Sequence, residues 1–184
     1  LGMNLDIEYI MPAHGIIWKD YIGDIIETYK GIAAQKTENK AVIVYESVWK
    51  HTQQIAESLA EGFSDAGMDV KVYKLSDTKS SIVMREIMDA KIVCIGSGTY
   101  NNVMAPSVAA FIEHIRPCKL KNKKGLAFAA YGWFNQVAKE IDTRMQQSGI
   151  ESCHDVINQC YTPSDDQLED YYNIAKEIAK NCQE

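Results

Sequence analysis

From about residue 40 onward, short and nearly continuous apolar runs alternate with stretches where apolar residues recur every three or four positions. Residues 41–46, AVIVYE, are of the first kind, as expected for a strand covered on both faces. Over 51–66, Ile55, Leu59 and Phe63 recur at four-residue spacing beside Ala56 and Ala60. That pattern stops at Gly67 and predicts an amphipathic helix. Residues 69–75 alternate and predict a more exposed strand, followed by a short helix over 82–90 and a buried strand over 91–97. Pro106 opens a helix to about Arg116, since proline suits a first helical turn. A glycine-flanked strand over 124–132, a helix over 135–149 and a strand around 152–160 come next. Ser164 and Gln167 have capping-box spacing before a last helix carrying Leu168, Tyr171, Tyr172, Ile174, Ala175 and Ile178.

Five strands alternating with five helices predict a doubly wound α/β fold, a parallel sheet with helices on both faces. The flavodoxin-like order 2-1-3-4-5 is the simplest arrangement for that count. Residues 1–39 stand outside the alternation. Residues 5–15 predict a strand running into a loop, residues 21–35 an isolated amphipathic helix, and residues 36–40 a polar linker. The expected division is therefore a short strand-helix extension over 1–39 and one α/β domain over 40–184.

Composition narrows the function. A net charge of −6, with Lys119 to Lys124 as the one basic run, argues against a nucleic-acid surface. That run is expected to be a solvated turn. No stretch of 18 apolar residues suggests a membrane span, and the first fifteen residues lack the pattern of a signal peptide. The five cysteines are odd in number and never spaced C-x-x-C, which favours a reduced, cytoplasmic setting over a disulfide framework or zinc site.

Ligands of open α/β sheets sit beyond the carboxyl ends of the strands. Three predicted loops fall there, at 47–52 (SVWKHT), 96–102 (GSGTYNN) and 130–136 (AYGWFNQ), with the large aromatics Trp49, Tyr100, Tyr131 and Trp133 expected to be exposed. The first loop runs straight into a helix, whose leading N–H groups lack internal partners and attract anions. A flat aromatic ligand with a phosphorylated tail fits both features. The first turn contains no glycine, so a dinucleotide fingerprint is excluded, and no P-loop is present. A phospho-receiver is disfavoured because the only acid closing the first strand is Glu46.

Residues 44–63, 96–115 and 130–141 resemble, in order, the three FMN loops and following helices of the C-terminal flavodoxin domain of flavodiiron proteins (A-type flavoproteins). Residues 5–20 resemble the end of the metallo-β-lactamase-like domain that precedes it, and His14 matches the last histidine ligand of the di-iron site. The resemblance implies an FMN electron carrier that feeds a di-iron centre reducing O2 or NO. The other di-iron ligands are absent, so the chain is expected to be the electron-transfer fragment, without bound metal and with no catalytic side chain of its own. It implies that Ser47 and Thr52 donate hydroxyls to the phosphate, that the N–H groups of Trp49, Lys50, His51 and Thr52 complete the cradle, and that Val48 belongs to the same cofactor-binding loop. Trp49, Tyr100 and Trp133 are expected to meet the ring, Thr99, Asn101 and Asn102 the ribityl chain or the polar edge of the flavin, and Tyr131, Gly132, Phe134 and Asn135 are further expected cofactor-binding positions. Lys50 and His51 replace the glycine and small residues of the usual phosphate loop. Phe134, Asn135 and Gln136 replace small residues in the third loop and are expected to crowd the ring. Implied partners are a rubredoxin or an NAD(P)H-linked reductase as donor, the di-iron domain as acceptor, and a second copy as a homodimer. Two rival readings remain: a domain that has lost FMN and serves docking or dimerisation, and a free-standing FMN reductase.

Overall fold

The computed structural model describes residues 6–183, and two units divide between Lys36 and Thr37. In the first, the helix α1 (Ile22–Ala33) forms as its periodicity predicts. The strand expected from residue 5 begins at a position outside the described residues. From residue 6 onward it amounts to one antiparallel bridge, Ile10 to Trp18, because no neighbouring strand continues the ladder.

In the second unit the apolar runs become strands: β1 (Glu38–Glu46), β2 (Asp69–Lys74), β3 (Ala90–Tyr100), β4 (Val103–Met104), β5 (Lys123–Tyr131), β6 (Ile150–Ser152) and β7 (Ile157–Cys160). The helices between and after them are α2 (His51–Asp65), α3 (Ser80–Met88), α4 (Pro106–Ile115), α5 (Val137–Gln147) and α6 (Asp165–Gln183). The sheet order is β2-β1-β3-β5-β6, with β7 also on β5 and the short β4 antiparallel to β3. This is the doubly wound 2-1-3-4-5 arrangement with its last position filled twice.

Three boundaries differ from expectation. The final strand is broken: β6 pairs with Lys123–Gly125 and β7 with Phe128–Tyr131, and polar residues such as His154 and Asp155 leave the ladder between them. β1 starts at Glu38, inside the expected polar linker, and Lys40 is buried. The basic run is not wholly a solvated turn, because Lys123 opens β5 and is only 2% exposed.

Strand alternation makes two cores. Val42, Val44, Val93 and Ile95 face α3, α4 and α5, while Ala41, Ile43, Ile92 and Cys94 face α2 and α6. At Gly96 the backbone passes so close to Phe128 that an added Cβ would meet the ring at 2.1 Å. Glycine there is a packing requirement. The predicted capping box forms in full: Gln167 N–H donates to Ser164 Oγ (3.3 Å), and Ser164 N–H donates to Gln167 Oε1 (3.0 Å).

The amino edge of the sheet is closed by charge. Lys40 Nζ donates to Glu86 Oε2 (2.7 Å) and Asp89 Oδ1 (2.8 Å), and Arg85 reaches the other oxygen of Glu86 (2.8 Å). Lys40 and then Arg85 hold the Glu86 carboxyl at about 2. Lys123 Nζ donates to the carbonyls of Met88 (2.9 Å) and Ala90 (3.1 Å), satisfying the end of α3, and burial pulls its pKa down to about 8. Among the described residues no helix is long and apolar enough to cross a membrane.

Candidate functional site

The parallel register β1-β3-β5 brings the carboxyl ends of three strands side by side, with Glu46 opposite Ser97 and Gly98 opposite Ala130. The loops leaving those ends enclose a cavity of about 360 Å³, and the turn after β7 adds a fourth wall. Ser47, Thr52, Gly98 and Thr99 are the small or hydroxyl-bearing residues of its lining. Trp49 and Trp133 stand on its lining at 80% and 78% exposure, while Tyr100 and Tyr131 are half-buried rather than exposed.

Lys50 is the N-cap of α2 and adopts φ 67°, ψ −2°, the left-handed region. A lysine there costs on the order of 1 kcal/mol, since Cβ crowds the following carbonyl. The turn directs the first N–H groups of α2 outward, with no side-chain cap and no acid in the first turn. Within that first turn an anion meets no carboxylate of the helix itself. Thr52 is 1% exposed and Ser47 is buried, yet among the described residues no hydrogen bond engages either hydroxyl. Neither hydroxyl oxygen is sealed off, since the one fully buried side-chain polar atom without a partner among the described residues is Gln54 Oε1, so both are open to a partner arriving from the cavity. Gly98 leaves room beside them: a Cβ there would lie 3.8 Å from Thr52 Oγ1 in ordinary contact. Packing therefore tolerates a side chain at 98, and the open space belongs to the cavity.

Of the positions expected to touch a ligand, Ser47, Val48, Trp49, His51, Thr52, Thr99, Tyr100, Tyr131, Gly132 and Trp133 line the cavity. Lys50, Asn101, Asn102, Phe134 and Asn135 do not. Asn101 and Asn102 have φ 46° and 72° and form the tight turn that joins β3 to β4. Asn102 nevertheless reaches the rim, where its Oδ1 accepts from Trp133 Nε1 (3.2 Å). Phe134 is not turned onto the cavity. It is half-buried against the core, and its carbonyl accepts from Thr99 Oγ1 (3.5 Å). Asn135 is exposed and holds the Gln136 side chain at 2.7 Å.

Three further residues, Gly98, Ala130 and Tyr161, line the cavity. Gly98 and Ala130 lie inside the quoted loops and have no chemistry to mark them. Tyr161 belongs to the fourth loop. The rule that ligands gather on the carboxyl edge, applied to the last strand, would have found it. His51 ties that loop in, its Nε2 lying 3.1 Å from Thr162 Oγ1.

The sequence pattern of the flavodoxin family matches residues 43–174, from within β1 to the middle of α6. The chain belongs to the flavodoxin family. This flavodoxin domain is 36% identical over 178 residues to a nitric oxide reductase of Moorella thermoacetica, covering 96% of the chain and 45% of that protein. Among solved structures it is similar to the rubredoxin oxygen:oxidoreductase of Desulfovibrio gigas, with a TM-score of 0.94 and 32% identity over 99% of the chain and 46% of the other. It also resembles the flavodiiron protein of Giardia intestinalis, with a TM-score of 0.89 and 27% identity over 96% and 44%. The resemblance to a C-terminal flavodiiron flavodoxin domain therefore stands. The chain spans less than half the length of curated relatives such as these.

FMN is the cofactor of this family, and the cavity fits it. The unused hydroxyls and bare helix N-terminus suit the phosphate, the glycine-widened lining admits the chain, and exposed indoles flank the opening. When bound, FMN supplies the redox chemistry by taking up and releasing electrons, and the protein positions and tunes it. Burial, followed by the charge of Glu46, pushes the pKa of the half-buried Tyr100 phenol up.

Proposed function

We propose that this flavodoxin domain is the FMN-dependent electron-transfer part of a flavodiiron-type O2 or NO reductase, relaying electrons to a di-iron centre outside this chain. One observation carries the reading: the hydroxyls of Ser47 and Thr52, without a hydrogen bond among the described residues, open at an uncapped helix N-terminus into a cavity flanked by two exposed tryptophans. Ser47 and Thr52 hold the phosphate with the backbone N–H groups of residues 49–52. Trp49, Tyr100, Tyr131 and Trp133 border the ring, and Thr99 with Gly98 faces the ribityl chain. No side chain acts as acid, base or nucleophile. The names of the relatives support a rubredoxin or similar small redox protein as donor. An NAD(P)H-linked reductase could fill the same role.

The reading places the protein in the cytoplasm. Residues 1–39 are taken as the tail of a metallo-β-lactamase-like domain, with His14 its one di-iron ligand here. Tyr21, Tyr29 and Ile32 of that segment are exposed and favour a homodimer. Titrating FMN into flavin-free protein, followed by flavin fluorescence, tests the function. Stoichiometric quenching with a yellow product is expected. A colourless protein that ignores FMN would leave docking or dimerisation as the better reading, and NAD(P)H oxidation without a partner protein would favour a free-standing reductase.

A further inference from the structure

Glu46 ends β1 one residue before the cavity lining begins, and it is 8% exposed. Its Oε1 accepts from the backbone N–H of Ser47 (3.0 Å), and its Oε2 accepts from Ser107 Oγ (3.1 Å) in the first turn of α4. Ser76 Oγ also lies 3.4 Å from Oε1, but its single proton has a nearer acceptor in Asp77 Oδ1 (2.9 Å). Two donors thus hold the group firmly. Among the described residues no lysine, arginine or histidine forms an ion pair with it. A buried carboxylate without a cation is expensive to keep. The N-terminus of α4 and the two donors offset part of that cost.

The position of Glu46 gives that cost a use. It pairs with Ser97 across the sheet, next to cavity-lining Gly98, and its chain neighbour Ser47 supplies one of the unengaged hydroxyls. Its bond to the Ser47 N–H fixes the angle at which the loop leaves β1, and the bond to Ser107 ties that loop to a helix on the opposite side of the sheet from α2. Reduction adds negative charge to a flavin in the cavity, and the Glu46 carboxylate sits one residue behind that cavity's lining.

We propose that Glu46 is a positioning residue of the phosphate-binding loop and a built-in negative charge that makes the bound flavin harder to reduce. This rests on the FMN reading above. The test is a reductive titration of FMN-loaded protein with dithionite and an indicator dye, together with the affinity for oxidised FMN. Glu46→Gln keeps the size and the acceptor for Ser47 but removes the charge. Its reduced FMN is expected to tighten about tenfold relative to oxidised FMN, which is about 30 mV upward for a two-electron couple. The shift should persist at high salt, because a buried charge is poorly screened. Ser107→Ala removes an anchor and keeps the charge, so it should weaken oxidised FMN several-fold and leave the potential in place. A merely structural role predicts the same potential for Glu46→Gln as for wild type, and that result would overturn the charge. Unchanged oxidised-FMN affinity in Ser107→Ala would overturn the positioning role. Failure of wild type to bind FMN is a separate outcome that removes the underlying reading and the inference with it.

Discussion

The two edges of the sheet use polar residues in opposite ways. At the amino edge, Lys40, Glu86, Asp89, Arg85 and Lys123 are drawn into ion pairs or onto carbonyls. At the carboxyl edge, Ser47 and Thr52 are buried with their hydroxyls unengaged, Lys50 occupies a strained backbone conformation, and two tryptophans face solvent. Both edges terminate the same strands. One has its polar groups satisfied from within the chain, which favours stability, and the other keeps them available to a ligand, which favours function.

The largest expected effect comes from breaking the amino edge. Lys40→Met leaves Glu86 buried with only the exposed Arg85 as partner, and loss of one member of such a pair costs roughly 3 kcal/mol. Denaturant unfolding measures this, and FMN affinity should not move. The pH dependence provides a second check. The Glu86 carboxyl lies at about 2 in the fold against an ordinary 4.5, so its contribution is present above about 4.5 and is lost as pH falls toward 2. That acid slope should flatten in the variant. A loss of FMN binding equal to the loss of stability would show the two edges to be one coupled system.

The next effect should invert the pattern. Thr52→Ala removes a hydroxyl with no protein partner, so flavin-free stability should change little. FMN should bind about tenfold more weakly, since 1.4 kcal/mol is one decade. Riboflavin, which lacks the phosphate, serves as the control. Equal losses for FMN and riboflavin would mean that the loop does not hold the phosphate.

The smallest effect tests the strain. Lys50→Gly relieves a left-handed residue and should stabilise the flavin-free protein by about 0.5–1 kcal/mol. FMN should weaken modestly at low ionic strength and return toward the wild-type value at high salt, because an exposed lysine acts only through a screened charge. A drop in stability would mean that the lysine side chain contributes more than its backbone geometry costs.

Much of this molecule was legible before folding. Period-two and period-3.6 apolar patterns reflect which face of an element meets a core, so they survive as sequence signals. They placed ten of the elements to within a few residues. Ser164 and Gln167 were also legible, because a capping box is a contact between residues three apart. The loops at 47–52, 96–102 and 130–136 were identifiable because the sheet topology must bring them to one edge.

Other features depend on which way a loop residue turns, and that is settled by distant neighbours. Asn101 and Asn102 carry the right chemistry for a ligand, but their positive φ values use them to make a turn. Phe134 is as large as a ring-contacting residue needs to be, but it packs into the core instead. The break between β6 and β7, and the fourth wall at Tyr161, follow from how much of β5 each segment can pair with. Glu46 shows the division most sharply. As a lone acid closing the first strand it spoke only against a phospho-receiver, because its role rests on Ser107, 61 residues away, and on Ser97 across the sheet. The chain alone determined the alternation of elements and the edge on which a ligand would sit, since both follow from local periodicity and chain-order rules. Only tertiary structure decided which polar groups at that edge stay free, because a hydrogen bond depends on where its partner arrives in space.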